Sequence, residues 1–465
     1  MKKLLTVLAI SMGLSACSGM LDIKPADQID ESKIFSSLQT FDKAVLGVYA
    51  GWNAELSMRT GSVMADECRI GPKNAGVNGS AQHLFRWTYA ASDAEITDPW
   101  SNAYQVINRV NRLLAGIDKV PAADEAAVAA RQQLKGELTA IRAYAHFELF
   151  RHFGASGVYH ADALAVPYVT AADIDNKPGR PTYADFFREM NADIAHAAAW
   201  IDDSRETTRM HLQAVQALQA RVALYTRNWA LAAESAGKVI AQVPLATMQE
   251  FPGIWTDQSG AEVIFKLKRT AGSTLRPGDV WKNATLGIVY FAPSLKLLRA
   301  YDAENDIRYT SYFSYDSTLA ASGQPGEVIR KYAGTPGAEN LNDVKIFRTG
   351  EMYLIRAEAL LEQGNNGGAA ADLQTLREHR IQGYTPQINK DARQLREEIM
   401  LERFRELPFE GHRYFDQKRL GLPLTRLPED AADTALQPGE LFYYLPIPQA
   451  ERMSNPNIRP DNPGW

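Results

Sequence analysis

Apolar residues recur along most of the chain at the spacing of amphipathic helices. Between positions 133 and 153 they follow one another at intervals of three or four and would share one helix face: Leu134, Leu138, Ile141, Ala145 and Leu149. Gly154 then gives a stop signal. The same spacing predicts further helices over 211–226, 230–243, 351–363 and 369–380.

Two of these helices look like the first helices of tetratricopeptide-type repeats, which pack pairs of helices through small residues. The segments 217–225 and 353–360 carry this pattern, and each is followed by a short turn and a second helix. About 135 residues separate the two segments. The repeats therefore do not form one uninterrupted array.

The region between the two repeats, over 244–346, has a different character. It is richer in glycine, proline and aromatic residues, and Val263, Phe265 and Leu267 alternate with lysines in a way that predicts a strand over 262–268. Long loops in a compact protein commonly carry function. The sequence predicts a mainly α-helical protein of tetratricopeptide-like helix pairs, with a loop-rich insertion that contains short strands.

The first 17 residues have the layout of an export signal followed by a lipid-attachment site. Two lysines precede an apolar run over 4–14, and Leu14-Ser15-Ala16 stands directly before Cys17. This resembles a bacterial lipobox, in which the cysteine is acylated and begins the mature chain; a cleaved secretory peptide is the alternative. We expect a signal peptide over 1–16, a membrane-anchoring lipid on Cys17 and a tether over 17–28.

Composition and charge narrow the classes of partner. The 465 residues are 45% hydrophobic and 23% charged with a formal net charge of −5, which is ordinary for a globular protein. Loss of residues 1–16 removes two lysines and makes the net charge more negative. No basic region indicates a nucleic-acid partner, and the negative balance disfavours polyanionic ligands, although a local basic pocket can override a global field.

The two cysteines indicate neither an intramolecular disulfide nor a zinc site. With Cys17 acylated, Cys68 would have no intramolecular disulfide partner, and two cysteines cannot build a zinc site by themselves. No loop has the ligand spacing of an EF-hand, although a calcium ion could occupy the Asp/Asn-rich loops. We expect no metal and no cofactor besides the covalent lipid.

No catalytic motif stands out in the sequence. A phosphate-binding glycine loop, a dinucleotide fingerprint, a nucleophile elbow and a His-Glu-x-x-His motif are all absent. His412, Arg413 and Asp416 could form an acid–base cluster, but a buried charge network is the favoured interpretation. A glycosidase needs two carboxylates that face each other across a cleft, which the sequence neither shows nor excludes.

Distinctive motifs stand near both ends of the chain. After the lipobox come Leu21-Asp22-Ile23-Lys24-Pro25 and the segment 36–49. Later stand the segment 397–407 and the run Phe409-Glu410-Gly411-His412-Arg413-Tyr414-Phe415-Asp416, and the chain ends with Asn462-Pro463-Gly464-Trp465. Together these motifs resemble the SusD/RagB family of outer-membrane nutrient-binding lipoproteins. The resemblance covers nearly the whole mature chain, and its motifs arrive in family order.

The resemblance implies both a fold and a function. The fold would be four tetratricopeptide-like helix pairs with a variable, loop-rich part packed against them. The protein would face outwards from the outer membrane, bind an oligosaccharide and deliver it, as a hinged lid, to a SusC-like TonB-dependent transporter. It would not be an enzyme. The chain would divide into 1–16, 17–28, a helical part over 29–243, the insertion over 244–346 and a C-terminal part over 347–465.

Sugars expose apolar C–H faces edged by hydroxyls, so their sites combine aromatic rings with short polar side chains. Two loop regions mix this chemistry: one over 66–87, which leads into a helix start at 98–102, and the other over 276–290. Together with the resemblance, they give these candidate ligand-binding residues: Asp66, Arg69, Asn78, Trp87, Trp100, Asn102, Trp281, Asn283 and Tyr290.

Several of these residues have an equally simple structural interpretation. Trp100 could be the core anchor that opens a repeat helix, and Asp66 and Arg69 could pair with each other across a turn. Trp281 stands among glycine and polar residues, so we expect it to be more exposed. Tyr312 and Tyr315 alternate like a strand, and we expect them to serve packing.

Three alternatives to a glycan-binding lipoprotein remain open at this point. The first is an oligopeptide binder of the same architecture, which would depend little on an aromatic platform. The second is a surface glycosidase. The third is a helical-repeat scaffold that binds only proteins and has no affinity for small ligands.

Overall fold

The computed structural model describes residues 31–76, 79–173, 175–204, 206–386, 388 and 391–465. The predicted signal peptide, Cys17 and the tether over 17–28 lie outside the described residues. Among the helices of the described ranges, none is both long enough and apolar enough to cross a membrane.

Helices account for most of the regular structure. In the first half of the chain they are α1 (Glu31–Ile34), α2 (Leu38–Gly51), α3 (Glu55–Val63), α4 (Gln82–Phe85), α5 (Ala94–Gly116), α6 (Glu125–Phe153), α7 (Tyr183–Trp200), α8 (Leu212–Tyr225), α9 (Trp229–Gln242) and α10 (Phe251–Ile254). In the second half they are α11 (Leu295–Leu298), α12 (Ile307–Tyr312), α13 (Ser317–Ala321), α14 (Thr349–Glu362), α15 (Asn366–Glu378), α16 (Ala392–Glu406), α17 (Arg413–Leu420) and α18 (Gln449–Ser454).

The mainly helical fold predicted from the apolar spacing is confirmed. Local capping explains where the helices begin: Asp124 accepts a hydrogen bond from the amide of Ala127 at the start of α6, and Asn228 does the same for Leu231 at the start of α9. The α6 helix ends at Phe153, directly before the predicted stop at Gly154. It begins eight residues before the predicted segment, because alanines with high helix propensity extend it towards Asp124.

The two predicted repeats pack against each other in space. The α8 helix pairs with α9, and α14 pairs with α15, as the helix–turn–helix pattern indicated. The α9 and α14 helices are in extensive contact, although the insertion separates them in the sequence. The α5, α6 and α7 helices pack side by side before them, which extends the helical scaffold towards the N-terminus.

Short antiparallel strands lie between α9 and α14 and at a few other points. In chain order they are β1 (Cys68–Ile70), β2 (Val263–Leu267), β3 (Lys282–Asn283), β4 (Ile288–Val289), β5 (Phe291–Pro293), β6 (Phe313–Tyr315), β7 (Glu327–Ile329), β8 (Gly334–Thr335), β9 (Ala338–Glu339), β10 (Val344–Arg348), β11 (Leu424–Thr425) and β12 (Ala435–Leu436). Within the described ranges they pair as β1–β5, β2–β10, β3–β4, β6–β7, β8–β9 and β11–β12.

The β2–β10 pair closes the base of this irregular region. Val344 pairs with Leu267 and Arg348 pairs with Val263 across the two strands, so the chain leaves the scaffold along β2 and returns to it along β10. The predicted strand over 262–268 is β2. The division of the whole chain into five segments stays a prediction.

A fully buried ionic network joins the irregular region to the scaffold. Glu406, at the end of α16, accepts hydrogen bonds from Arg308, Arg348 and Arg380 at 2.9–3.1 Å. Arg348 and Arg380 also share Glu262 at 2.6 and 2.7 Å. These side chains are at most 1% exposed, so each charge has to be neutralised by a partner to remain in the interior.

Candidate ligand-binding cleft

Three β-hairpins of the irregular region surround a cleft of about 470 Å³. They are β3–β4, β6–β7 and β8–β9, and the volume lies within the range of roughly 300–1,000 Å³ that is typical of ligand sites. The cleft, which we call the hairpin cleft, has aromatic and polar side chains in its lining: Trp281, Lys282, Ser314, Tyr315, Asp316 and Asn340.

Tyr315 presents the exposed aromatic ring of the hairpin cleft. It is the last residue of β6 and is 67% exposed, although Phe313 on the same strand is buried. Asp316 follows it and caps α13 by accepting hydrogen bonds from the amides of Thr318 and Leu319. The chain therefore turns away immediately after Tyr315 and leaves its ring at the surface.

Trp281 forms part of the cleft wall, but it is only 2% exposed. Its ring packs edge-on against Phe409 with the ring centroids 5.2 Å apart. Its carbonyl accepts hydrogen bonds from the amides of Tyr290 and Phe291. The prediction that Trp281 is exposed is therefore wrong, because its indole packs against Phe409 as part of the hydrophobic core.

Polar side chains complete the rim of the cleft. The amide of Asn340 donates to Asp279 and to the carbonyl of Lys282, both at 2.7 Å. Asn340 has φ of +61°, a conformation that asparagine tolerates better than most residues. It thereby ties the β8–β9 hairpin to β3. Lys282, Asp316 and Glu339 bring charges of both signs to the lining.

Asn283 and Tyr290, both predicted from the sequence, lie together beside the cleft. The Asn283 amide donates to the Tyr290 hydroxyl at 3.0 Å, and its side-chain oxygen accepts from the amide of Leu286. Both residues are half-buried. They brace the β3–β4 hairpin, and their contact with a ligand stays a prediction.

Asp66 and Arg69 do not pair with each other, contrary to the structural alternative drawn from the sequence. Asp66 is fully buried and binds Arg413 at 2.7 and 2.9 Å and Lys296 at 2.7 Å. Burial by itself would raise the pKa of Asp66, but the two cations outweigh it and lower the pKa to about 2. The carboxylate of Asp66 is therefore enclosed and fully engaged by these cations, and its contact with a ligand stays a prediction.

Arg69, which belongs to the first loop region, lies close to the hairpin cleft. It lies on β1 and forms an ion pair of 2.7 Å with Glu327 on β7. Glu327 is the register partner of Tyr315. Arg69 therefore helps to hold the hairpin that carries the exposed ring.

The lining of the hairpin cleft does not include Trp87, Trp100 or Asn102. The Trp87 indole is 5% exposed and donates to the carbonyl of Met64. Asn102 bridges the amide of Asn53 and the carbonyl of Gly51. The indole N–H of Trp87 and the side-chain amide of Asn102 are therefore already paired within the protein, and their contact with a ligand stays a prediction.

Trp100 packs against Tyr104 and Phe153, with ring centroids 5.0 and 5.2 Å away, and is 6% exposed. This favours the core-anchor interpretation. It also borders a separate cavity of about 340 Å³ between α5, the loop around 167–178 and α18. Asn78, the remaining candidate, lies outside the described residues.

The expectation that Tyr312 and Tyr315 serve packing holds for Tyr312, which is fully buried, but is wrong for Tyr315, which is 67% exposed. The available signal was Asp316 directly after it, a helix-capping residue that marks the end of the strand.

His412, Arg413 and Asp416 form the favoured charge network rather than an acid–base cluster. Asp416 binds Arg403 and Arg419, and Arg413 binds Asp66. Burial, together with Arg221 and other arginines, lowers the pKa of His412 well below its ordinary value. Within the described residues, no group of three or more histidine, cysteine, aspartate and glutamate side chains could hold a metal ion.

Comparisons with known proteins agree with the fold. The chain is 26% identical to SusD-like protein P2 of Formosa agariphila, over 99% of both chains. A SusD superfamily protein from Bacteroides thetaiotaomicron superposes with a TM-score of 0.81 at 24% identity and covers 92% of this chain and 100% of its own. A SusD-like carbohydrate binding protein from Bacteroides vulgatus gives a TM-score of 0.77 at 18% identity and covers 93% and 99%.

Two family models match successive parts of the chain. One, described as "Starch-binding associating with outer membrane", matches residues 20–224, and the other, described as "SusD family", matches residues 268–465. The two matches leave only short stretches of the chain uncovered, and the fold is that of solved members of the superfamily. The chain therefore belongs to the SusD family.

Proposed function

We propose that this protein binds an oligosaccharide in the hairpin cleft and acts as a binding protein rather than an enzyme. The exposed ring of Tyr315 in a cleft with a polar rim is the observation that carries the proposal. An aromatic ring stacks on the apolar face of a sugar, and short polar side chains pair with its hydroxyl groups.

The charges of the cleft favour an uncharged ligand. Among the lining residues, Lys282 is opposed by Asp316 and Glu339, so the cleft offers no excess of positive charge to a sulfate or a uronate. The net charge of −5 for the whole chain acts in the same direction. Neutral oligosaccharides are therefore the proposed ligand class.

The wider role proposed here follows from the family. The protein would be held on the outer membrane by a lipid on Cys17, would face the exterior and would pass the sugar to a SusC-like TonB-dependent transporter as its lid. The family description of association with the outer membrane supports the location. Co-purification of a β-barrel transporter with the full-length lipoprotein from outer membranes tests the partnership; its recovery without any barrel would contradict it.

Calorimetric titration of the chain without residues 1–17 tests the binding function. The panel contains neutral oligosaccharides, sulfated oligosaccharides and mixed peptides. We expect saturable binding to one class of neutral glycan. Binding to peptides alone would replace the proposal with the oligopeptide-binding alternative, and binding to sulfated glycans alone would contradict the proposed ligand class.

Substitution of Tyr315 tests whether the glycan binds in the hairpin cleft. Loss of a stacked aromatic ring costs about 1–3 kcal/mol in nucleic-acid sites, so we expect Tyr315→Ala to weaken glycan binding by about tenfold or more, whereas Tyr315→Phe keeps most of it. Tyr353→Ala, which removes a half-buried tyrosine on the scaffold helix α14 away from the cleft, is the control and should bind as the wild type does. Equal affinity of Tyr315→Ala and wild type would remove the hairpin cleft as the site.

A further inference from the structure

Gly326 lies beneath the ring of Tyr315. A β-carbon built at position 326 would overlap Cε2 of Tyr315 and would lie 2.9 Å from Cζ and 3.1 Å from Cδ2. The ring therefore occupies the space that any larger residue at 326 would need. Tyr315 rests against the backbone of Gly326 and is still 67% exposed.

We propose that Gly326 is a positioning residue for ligand binding, because it lets the Tyr315 ring lie against the hairpin as a preformed platform. The inference rests on the proposed function and deepens it. A ring that is already held in place loses less conformational freedom when a sugar stacks on it, and such preorganisation increases affinity.

The β6–β7 hairpin itself is fixed by contacts that do not depend on the side chain at position 326. The amide of Asp316 donates to the carbonyl of Gly326 at 2.8 Å, and Tyr315 pairs in register with Glu327. Arg69 clamps Glu327 from the neighbouring strand β1. A β-carbon at 326 would therefore displace the ring, which is the exposed end of a side chain, rather than the strands.

The backbone of Gly326 does not require glycine. Its φ lies outside the positive range that L-residues avoid, unlike that of Gly323 at +77° in the same hairpin. Alanine can adopt such a conformation without strain. The need for glycine at 326 thus comes from the tyrosine ring above it, which makes Gly326→Ala a selective probe.

Calorimetry on a double-mutant cycle tests the proposal. Gly326→Ala should weaken glycan binding by about threefold to tenfold, the equivalent of ordering one side chain on binding, with the melting temperature unchanged. In the Tyr315→Ala background, the same substitution should have no further effect. Gly272→Ala is the control, because its β-carbon would meet no atom within 4 Å, and it should bind as the wild type does.

Two results would overturn the proposal: wild-type affinity for Gly326→Ala, or an equal loss with and without the Tyr315 ring. A crystal structure of ligand-free Gly326→Ala separates this inference from the proposed function. A displaced Tyr315 ring supports the platform even if no glycan is found to bind, and an unmoved ring contradicts it even if a glycan does bind.

Discussion

Asp66 and Glu67 are adjacent, and the structure gives their carboxyl groups opposite acidities. Both side chains are fully or almost fully buried. Asp66 has Arg413 and Lys296 as partners, which lower its pKa to about 2. Burial dominates at Glu67, where the nearby Ser62 hydroxyl and the hydrogen bond from the amide of Phe409 offset it only in part, and its pKa rises to about 8. Glu67 is therefore protonated in the folded protein at neutral pH.

The raised pKa of Glu67 predicts that the free energy of unfolding depends on pH. Its folded pKa of about 8 exceeds the ordinary value of about 4.3, so the folded state keeps a proton that the unfolded state releases between these values. Stability from this group is present below pH 4.3 and is lost as the pH rises to 8. Glu67→Gln removes this pH dependence and keeps an acceptor for the amide of Phe409. The free energy of unfolding of the variant, relative to that of the wild type, should therefore rise by roughly 3 kcal/mol from pH 5 to pH 8.

Urea unfolding at several pH values measures this difference. Glu397→Gln provides the control, because Glu397 belongs to an exposed ion pair with Arg393. The stability of that variant relative to the wild type should not change across the same pH range. If the difference in stability between Glu67→Gln and the wild type does not change with pH, then Glu67 is ionised in the folded protein.

At the level of single residues, the candidate site could be predicted only in part. Arg69 and Asn283 could be chosen from residue type and loop context, and both lie beside the cleft. The burial of Asp66 depends on Arg413 and Lys296, which are hundreds of positions away in the sequence. The platform under Tyr315 depends on a glycine across a hairpin. Such contacts leave no local pattern in the sequence.

At the scale of elements, two helix glycines should respond to substitution in opposite ways. A β-carbon at Gly61 in α3 would lie 2.6 Å from the backbone of Gly411, so Gly61→Ala should destabilise the protein by about 1–3 kcal/mol through overpacking. Gly47 in α2 is exposed, with no atom within 4 Å of its β-carbon. Gly47→Ala should stabilise by roughly 0.5–1 kcal/mol, because alanine has the higher helix propensity.

Denaturant unfolding of the two variants checks this pair of predictions. Similar effects of both substitutions would mean that α3 and the turn at Gly411 do not approach each other as described.

Helices and strands differ in how far the sequence could predict them. The helices α6, α8, α9, α14 and α15 follow from local apolar spacing, caps and breakers, and they agree with the predictions to within a few residues at most ends. The strand β1 was not predicted, because its three residues are stabilised by pairing with β5 more than 200 positions later. Pairing over such distances is invisible to local periodicity.

At the scale of the whole molecule, the buried ionic network fixes the cleft-bearing region to the helical scaffold. Glu406 is the centre of this network, with three arginines around one fully buried carboxylate. Those arginines lower its pKa despite the opposing effect of burial. Removal of one charge from a buried pair leaves its partners uncompensated and typically costs about 3–5 kcal/mol.

Glu406→Gln should therefore lower the free energy of unfolding by about 3–5 kcal/mol. The exposed pair of Glu429 with Arg299 supplies the control, and Glu429→Gln should change stability by less than about 1 kcal/mol. Equilibrium unfolding in urea compares the two. Equal stability of Glu406→Gln and the wild type would contradict the structural role assigned to the network.

A crystal structure of the complex shows whether a neutral oligosaccharide binds in the hairpin cleft. The measurement uses the wild-type chain without residues 1–17, crystallised with the glycan that binds most tightly in calorimetry. We expect a sugar ring stacked on Tyr315, with its hydroxyl groups near Asp316 and Asn340. A sugar bound elsewhere, for example in the cavity beside Trp100, would contradict this expectation.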